Sequence, residues 1–270
     1  NTAGDLGAAA SLTYQHRNVF KGSELLSLEL RGAYENIKGL EGYSNEDFLE
    51  YSVEAKLQFP RFIAPFIARP FIKSTQSSSE LSLMYDLQNR PEYHRRVLSL
   101  AWKYKWNYTN HHDRYWLDLL DLNYVYMPWI SETFKRDYLD DADNRNAILR
   151  YNYEDIFIMK MGFGLTYSDE VDAFRLNVES SGNLLSAFSK ALNFKINSQG
   201  QRTFINIAYA QYAKADFDYT HLVRFDDRNV LALHAGIGVA YPYGNSKVLP
   251  FEKRYFSGGA NSVRGWGVRE

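Results

Sequence analysis

The feature that most constrains the fold is an alternation of apolar and polar side chains along most of the chain. In its cleanest stretch, one phase is Leu98, Leu100, Trp102, Tyr104, Trp106 and Tyr108, and the other is Ser99, Ala101, Lys103, Lys105 and Asn107. Successive side chains of a β-strand point to opposite faces, so a period of two predicts a strand with one apolar and one polar face.

The same period recurs in residues 10–15, 26–31, 49–59, 80–87, 157–167, 174–179 and 231–241. Residues 202–219 are predicted to form a further strand, and so are residues 115–126, which are in part apolar on both faces. A turn at residues 18–22 joins the first two segments into a hairpin. Sustained helical periodicity does not separate the strands, which argues against folds that alternate strands and helices. We predict an all-β, antiparallel fold with about ten to eleven strands in a single domain, residues 1–270.

Three stretches interrupt the alternation. Residues 60–72 contain three prolines, which cannot donate hydrogen bonds to a strand ladder, and are predicted to form a long connection at a membrane boundary. Residues 128–155 are largely polar. Residues 184–194 lose the period of two, which is compatible with a short helix on an excursion loop.

The composition favours a transmembrane β-barrel. Aromatic residues make up 16% of the chain, with 21 Tyr and 17 Phe, and barrels use such residues in girdles at both membrane interfaces. No run approaches the roughly 18 to 20 apolar residues of a transmembrane helix. The mean hydropathy is negative, as alternating lipid-facing and lumen-facing residues allow. The strand pattern alone would also suit a soluble β-sandwich.

The net charge, the cysteine content and the chain ends bear on the partners, the compartment and the completeness of the protein. The net charge of -1 gives no large basic field, so no nucleic-acid partner is expected. The absence of cysteine is compatible with any compartment. Because the chain opens at Asn1 without a methionine or a signal peptide, and stops soon after a glycine-rich stretch, we expect a piece of a longer protein.

That glycine-rich stretch, residues 256–267, is predicted to form a compact loop. Gly258, Gly259 and Gly265 permit positive φ or close backbone approach, so the loop would display Arg264 and Trp266. The simplest alternative is an ordinary glycine-rich hairpin loop with a solvated arginine.

The stretch Gly-Gly-x-x-Ser-Val-Arg-Gly-Trp, residues 258–266, resembles the Val/Ile-Arg-Gly-Phe/Tyr loop of the BamA/TamA family of outer-membrane protein assembly factors, and residues 249–256 resemble that family too. The resemblance implies a sixteen-stranded barrel, incomplete in this chain, whose loop folds into the lumen. The functional loop would comprise Gly258, Gly259, Val263, Arg264, Gly265 and Trp266. Trp266 replaces the usual Phe or Tyr. The acidic partners of the arginine would lie on strands beyond Glu270, and inward-facing Gly236 and Gly238 would leave room for the loop.

The resemblance also implies a function. Such proteins insert β-barrel proteins into the bacterial outer membrane, without a cofactor and without covalent chemistry, by templating an incoming strand at an imperfectly closed seam. The implied partners are unfolded outer-membrane proteins, outer-membrane lipid or lipopolysaccharide, and periplasmic or lipoprotein accessory subunits. The alternative is a passive porin whose inward loop forms a charged constriction.

Residues that could bind metal or catalyse a reaction carry weak signals. His111 and His112 are adjacent and would face opposite sides of a strand. The acids at 140, 141 and 143 lack the turn glycine and closing glutamate of a calcium loop. Common hydrolase and metalloprotease motifs are absent from the sequence. We therefore predict neither a metal site nor an enzyme.

Overall fold

The computed structural model describes residues 6–36, 47–63, 74–108, 112–136, 154–189, 191, 193–197, 199–226, 228–250 and 253–256. The strands are β1 Leu6–Arg17, β2 Leu25–Asn36, β3 Phe48–Phe59, β4 Thr75–Asn89, β5 Tyr93–Tyr108, β6 Asp113–Ile130, β7 Ile156–Ser168, β8 Asp172–Ser181, β9 Lys195–Ile196, β10 Arg202–Phe204, β11 Ile207–Ala208, β12 Tyr212–Arg224 and β13 Val230–Pro242. Two short helices, α1 Glu132–Phe134 and α2 Asn183–Phe188, lie between strands.

Ten strands form one antiparallel sheet in the order β1-β2-β3-β4-β5-β6-β7-β8-β12-β13. Strands β9 to β11 form a separate three-stranded sheet within the connection between β8 and β12. The all-β, antiparallel prediction is thus confirmed. In the described residues, the large sheet is a chain of hairpins with the single insertion of residues 182–211.

The register places the apolar side chains of neighbouring strands on one face of the large sheet and their polar side chains on the other. Leu83 lies opposite Leu100, which lies opposite Leu122. The other face carries pairs such as Lys103 opposite Asp118. Large side chains of the apolar face are exposed, with Leu83 at 49%. A soluble protein rarely leaves so continuous an apolar surface uncovered, so the apolar face is the lipid side and the charged face is the inner wall of a barrel.

Aromatic side chains mark two levels on the apolar face. Trp106 stacks on Tyr115 at 5.4 Å near one end of the strands, and Tyr124 stacks on Tyr126 at 6.4 Å near the other. Tyr115 and Tyr124 are nine residues apart on β6, which is about 30 Å along a strand. With a tilt of about 40°, the vertical separation is about 23 Å, close to the apolar band of a transmembrane barrel. These two levels define the aromatic girdles.

Successive connections between the strands of the large sheet lie at alternate ends of that sheet. The connections at residues 18–24, 169–171 and 225–229 are short and share one end, here called the turn end. The long connections at residues 131–155 and 182–211 leave from the opposite end, here called the loop end. The separation by length is not complete, because residues 60–74 form a long connection at the turn end and residues 90–92 a short one at the loop end. The two longest connections nevertheless share the loop end, as the long extracellular loops of outer-membrane barrels do.

The proline-rich connection begins by folding over the apolar face at the turn end. Phe62 is buried and packs 5.5 Å from the Tyr104 ring. The Tyr104 hydroxyl donates to the Ile63 carbonyl at 2.8 Å, and the Ile63 amide donates to Ser79 Oγ at 2.8 Å. The connection therefore starts against the apolar face at the turn end, and its position at the membrane boundary stays a prediction. Residues 64–73 lie outside the described ranges.

Strand β6 is longer than the sequence predicted. It runs through Pro128 to Ile130, so the polar connection begins at Ser131 rather than at Pro128. The β5–β6 register shifts between His94 and Arg96, and the β6–β7 pairing ends at Val125. Pro128 therefore lies at an irregularity on a free edge, where its missing N–H costs no ladder hydrogen bond.

The prediction of one strand over residues 202–219 is wrong. Strands β10 and β11 form a tight hairpin in which Phe204 pairs with Ile207, and β12 starts only at Tyr212. Ile205 and Asn206 form the two-residue turn with φ of 52° and 63°, as in a type I′ hairpin. The predicted short helix on the excursion is confirmed as α2.

A lysine scan across β4 is expected to separate the two faces. Leu83→Lys places a charge on the lipid side between the girdles and should cost up to about 2–4 kcal/mol. Met84→Lys is the matched control, because Met84 faces the inner wall directly opposite Glu54. Heat-modifiable gel migration of the two variants provides the measurement; equal losses would contradict the assignment of faces.

Candidate functional site

A cluster of matched charges lies on the inner wall at β6, β7 and β8. Lys160 Nζ is 3.2 Å from Asp121 and 3.3 Å from Glu179, and Lys253 Nζ is also 3.3 Å from Glu179. The Tyr212 hydroxyl donates to Glu179 at 3.3 Å. The Glu179 side chain is only 8% exposed. We call Asp121, Lys160, Glu179, Tyr212 and Lys253 the wall cluster.

A β-bulge creates the acidic side of this cluster. Asp118 pairs with Gly162 and Asp121 pairs with Lys160. Between these two pairs β6 advances by three residues while β7 advances by two, so β6 contains one extra residue. Without the extra residue, side chains three positions apart would face opposite sides of the sheet. The bulge turns both aspartates inward and places Asp121 directly across from Lys160, where opposite charges attract.

The segment leading into the glycine-rich loop is anchored on this wall. Lys253 binds Glu179 of β8, and the Tyr255 hydroxyl donates to Asp216 of β12. Lys214 Nζ lies 4.3 Å from the centre of the Tyr255 ring, a cation–π contact. Residues 253–256 therefore lie against the inner face rather than outside the sheet.

Gly238 makes this approach possible. A Cβ added at Gly238 would stand 2.7 Å from the Tyr255 hydroxyl, closer than packed atoms allow. A Cβ at Gly236 would instead stand 2.9 Å from Asp218 Oδ1. Of the two inward glycines identified in the sequence, Gly238 is thus the one that admits the segment before the loop.

The electrostatics explain why Lys253 depends on Glu179. Burial lowers the pKa of the Lys253 ammonium, and the neighbouring Lys160 lowers it further. The Glu179 carboxylate opposes both effects and favours the charged form of Lys253. Glu179 therefore holds two lysines that would otherwise repel each other.

A second anchor lies at the turn after β13. Asn245 Oδ1 accepts from the Arg202 amide at 2.7 Å, and Asn245 Nδ2 donates to the Arg202 and Tyr209 carbonyls at 2.9 Å each. The Asn245 amide donates to Gln211 Oε1 at 3.0 Å. The chain leaving β13 is thus bound to the excursion of residues 182–211. Residues 245–255, which lead into the glycine-rich loop, are therefore held at both ends.

The predicted loop residues Gly258, Gly259, Val263, Arg264, Gly265 and Trp266 lie outside the described residues, as do His111 and the acids at 140, 141 and 143. Sequence reasoning missed the wall cluster. The signal available for it was the set of charged residues on the inward phase of β6 to β8, but the bulge obscured that phase at Asp121. In the ranges that the structure describes, no three His, Asp or Glu side chains are grouped to hold a metal ion. Nor does any helix in those ranges have the length and apolar character needed to cross a membrane.

The lipid-type outer face, the girdles and the charged inner wall define a transmembrane antiparallel β-barrel, although the described sheet is not closed. The domain model of the Omp85 superfamily matches residues 134–270. Because this match covers half of the chain, the chain belongs to the Omp85 superfamily. The matched residues include β7 to β13, four of the five wall-cluster residues (all but Asp121) and the glycine-rich loop.

A solved structure supports the fold. The crystal structure of BamA from Haemophilus ducreyi lacking POTRA domains 1-3 matches with a TM-score of 0.53 over 97% of this chain, at 14% sequence identity. The chain covers 44% of that structure, so it spans less than half the length of its structural relative. No curated protein matches the chain.

Proposed function

We propose that the chain is part of an outer-membrane barrel that assembles or inserts other β-barrel proteins, and that residues 1–270 belong to one barrel domain. Membership of the Omp85 superfamily and the fold shared with BamA support this. The observation that carries the proposal is the anchoring of residues 253–256 on the inner wall through Lys253 and Tyr255. In this proposal, the anchoring lets the glycine-rich loop start inside the lumen.

In this proposal the protein acts by positioning, with no cofactor and no covalent step. The inward loop, Gly258 to Trp266, braces the wall through Arg264 while a seam between the first and last strands of the complete barrel exposes unpaired backbone groups. An incoming strand would pair with those groups by β-augmentation. The substrates would be unfolded outer-membrane proteins, with outer-membrane lipid, lipopolysaccharide and periplasmic or lipoprotein subunits as further partners.

Reconstitution of the full-length protein tests this proposal. A urea-unfolded barrel protein is diluted into phosphatidylcholine liposomes with or without the protein, and folding is followed by heat-modifiable gel migration. We expect faster folding in the protein-containing liposomes. Unchanged folding, together with large steady conductance in planar bilayers, would contradict the proposal and favour a passive porin.

A further inference from the structure

The excursion of residues 182–211 packs on the lipid side of the sheet. Its residues Leu185, Ile207 and Tyr209 are buried together with Phe157 of β7, and the partly buried residues packed around them are Leu122, Tyr124, Met159, Phe194 and Phe204. Phe157 pairs with Tyr124 across β6 and β7, and both belong to the apolar phase. We call residues 182–211 the shelf.

The shelf lies at the level of a membrane interface. Tyr124, which it covers, belongs to the aromatic girdle at the loop end, and the Phe204 ring of the shelf is 5.2 Å from Phe157. Aromatic girdles mark the boundary between acyl chains and headgroups. The shelf is therefore continuous with the lipid-facing surface of the barrel at that boundary.

Among the described residues of the shelf, four large apolar side chains are exposed, and three of them are more than half exposed. Phe188 is 57% exposed, Ile196 is 68% exposed and Ile205 is 67% exposed. Ile196 lies opposite Arg202 in the small sheet. Arg202 and Phe204 are two residues apart on β10, so Ile196 and Phe204 lie on the same face of that sheet. Ile205 directly follows Phe204, so it lies at the rim of the cluster that covers Phe157. The shelf thus extends the apolar surface of the barrel wall outward.

Ile205 is the least expected residue of the three. It occupies a turn position with φ of 52°, where a β-branched side chain is strained and Asn or Gly is favoured. Folding of the hairpin gains nothing from an exposed isoleucine there. An apolar side chain at this tip is useful if it is transferred from water into another apolar phase.

We propose that the shelf is a membrane-binding surface that inserts Phe188, Ile196 and Ile205 into the lipid leaflet at the loop end, at the boundary of acyl chains and headgroups. Exposed Lys195 lies next to Ile196, where an ammonium can reach lipid phosphates. The proposal rests on the barrel fold and is independent of the assembly function.

A site-specific label in the full-length protein tests the shelf. Residues 1–270 contain no cysteine, so within them Ile205→Cys provides a single attachment point for the polarity-sensitive fluorophore NBD, and any cysteine elsewhere in the full-length protein is replaced by serine. The protein is reconstituted in phosphatidylcholine liposomes with or without brominated acyl chains. We expect blue-shifted NBD emission that brominated lipid quenches several-fold more strongly than at a control position.

The matched control is Gln199→Cys, an exposed position of the same excursion. Gln199 lines a cavity of about 320 Å³ together with Glu154, Asp155 and Lys247, so it lies beside charged side chains. Equal quenching at positions 199 and 205 would overturn the proposal. Phe188→Cys provides the same comparison if the hairpin variant does not fold. Because quenching is measured without substrate, its failure and the failure of the assembly function are distinguishable.

Discussion

Glu179→Ala is expected to destabilise the barrel by about 3–5 kcal/mol, the usual cost of removing one partner from a buried ion pair. Glu179 is the shared acceptor of Lys160, Lys253 and the Tyr212 hydroxyl. Its removal leaves two buried ammonium groups close together without the carboxylate between them. The loss should appear as a lower urea midpoint of the reconstituted protein, measured by tryptophan fluorescence.

Glu54→Ala is the matched control for this prediction. Glu54 and Lys56 form an ion pair at 3.0 Å on the same face, but their side chains are 30% and 38% exposed. Screening by solvent limits such a pair to about 0–1 kcal/mol.

A double-mutant cycle with Lys253→Met should show strong coupling to Glu179, because the methionine removes one stranded charge. Additive effects of the two substitutions would show that Glu179 and Lys253 do not form the contact described.

Arg264→Ala is expected to abolish most of the proposed assembly activity while leaving the strands formed. The proposed function places Arg264 in a partly dry lumen, where a guanidinium needs a forked carboxylate partner, and losing such a pair would cost about 3–5 kcal/mol of loop anchoring. Arg264→Lys should restore activity only in part, since an ammonium cannot make two parallel contacts. Folding rates of an unfolded barrel substrate in liposomes provide the measurement.

The control for Arg264 is Arg228→Ala, which removes an exposed arginine from the short turn between β12 and β13. It should leave the folding rates unchanged. Normal substrate assembly by Arg264→Ala would remove Arg264 from the mechanism, and a general loss of heat-modifiable migration would indicate misfolding instead.

The sequence predicted the strands well because lipid on one side and a wet lumen on the other impose a strict period of two. The prediction from sequence failed at two places where the period of two does not follow the course of a single regular strand. The bulge between Asp118 and Asp121 changes the phase within β6, and the excursion keeps an apparent alternation through the turn at Ile205. Neither the bulge nor the turn can be recognised from the types of amino acid present there.

The candidate site was predictable only in part. The loop motif around Arg264 is local in sequence, and so are the small inward residues of β13. The contact between Glu179 and Lys253 joins residues 74 positions apart, and only the three-dimensional course of the chain after β13 brings them together. Charge alone could not select this pair from the many lysines and acids of the inner phase.

The close approach of Tyr255 to Gly238 has an evolutionary consequence. A side chain at position 238 and an aromatic ring at position 255 cannot occupy the same volume. Across the superfamily, the side-chain sizes at these two positions should therefore vary inversely. Where the residue on β13 is larger, the residue on the incoming segment must be smaller, or the segment must follow a different path.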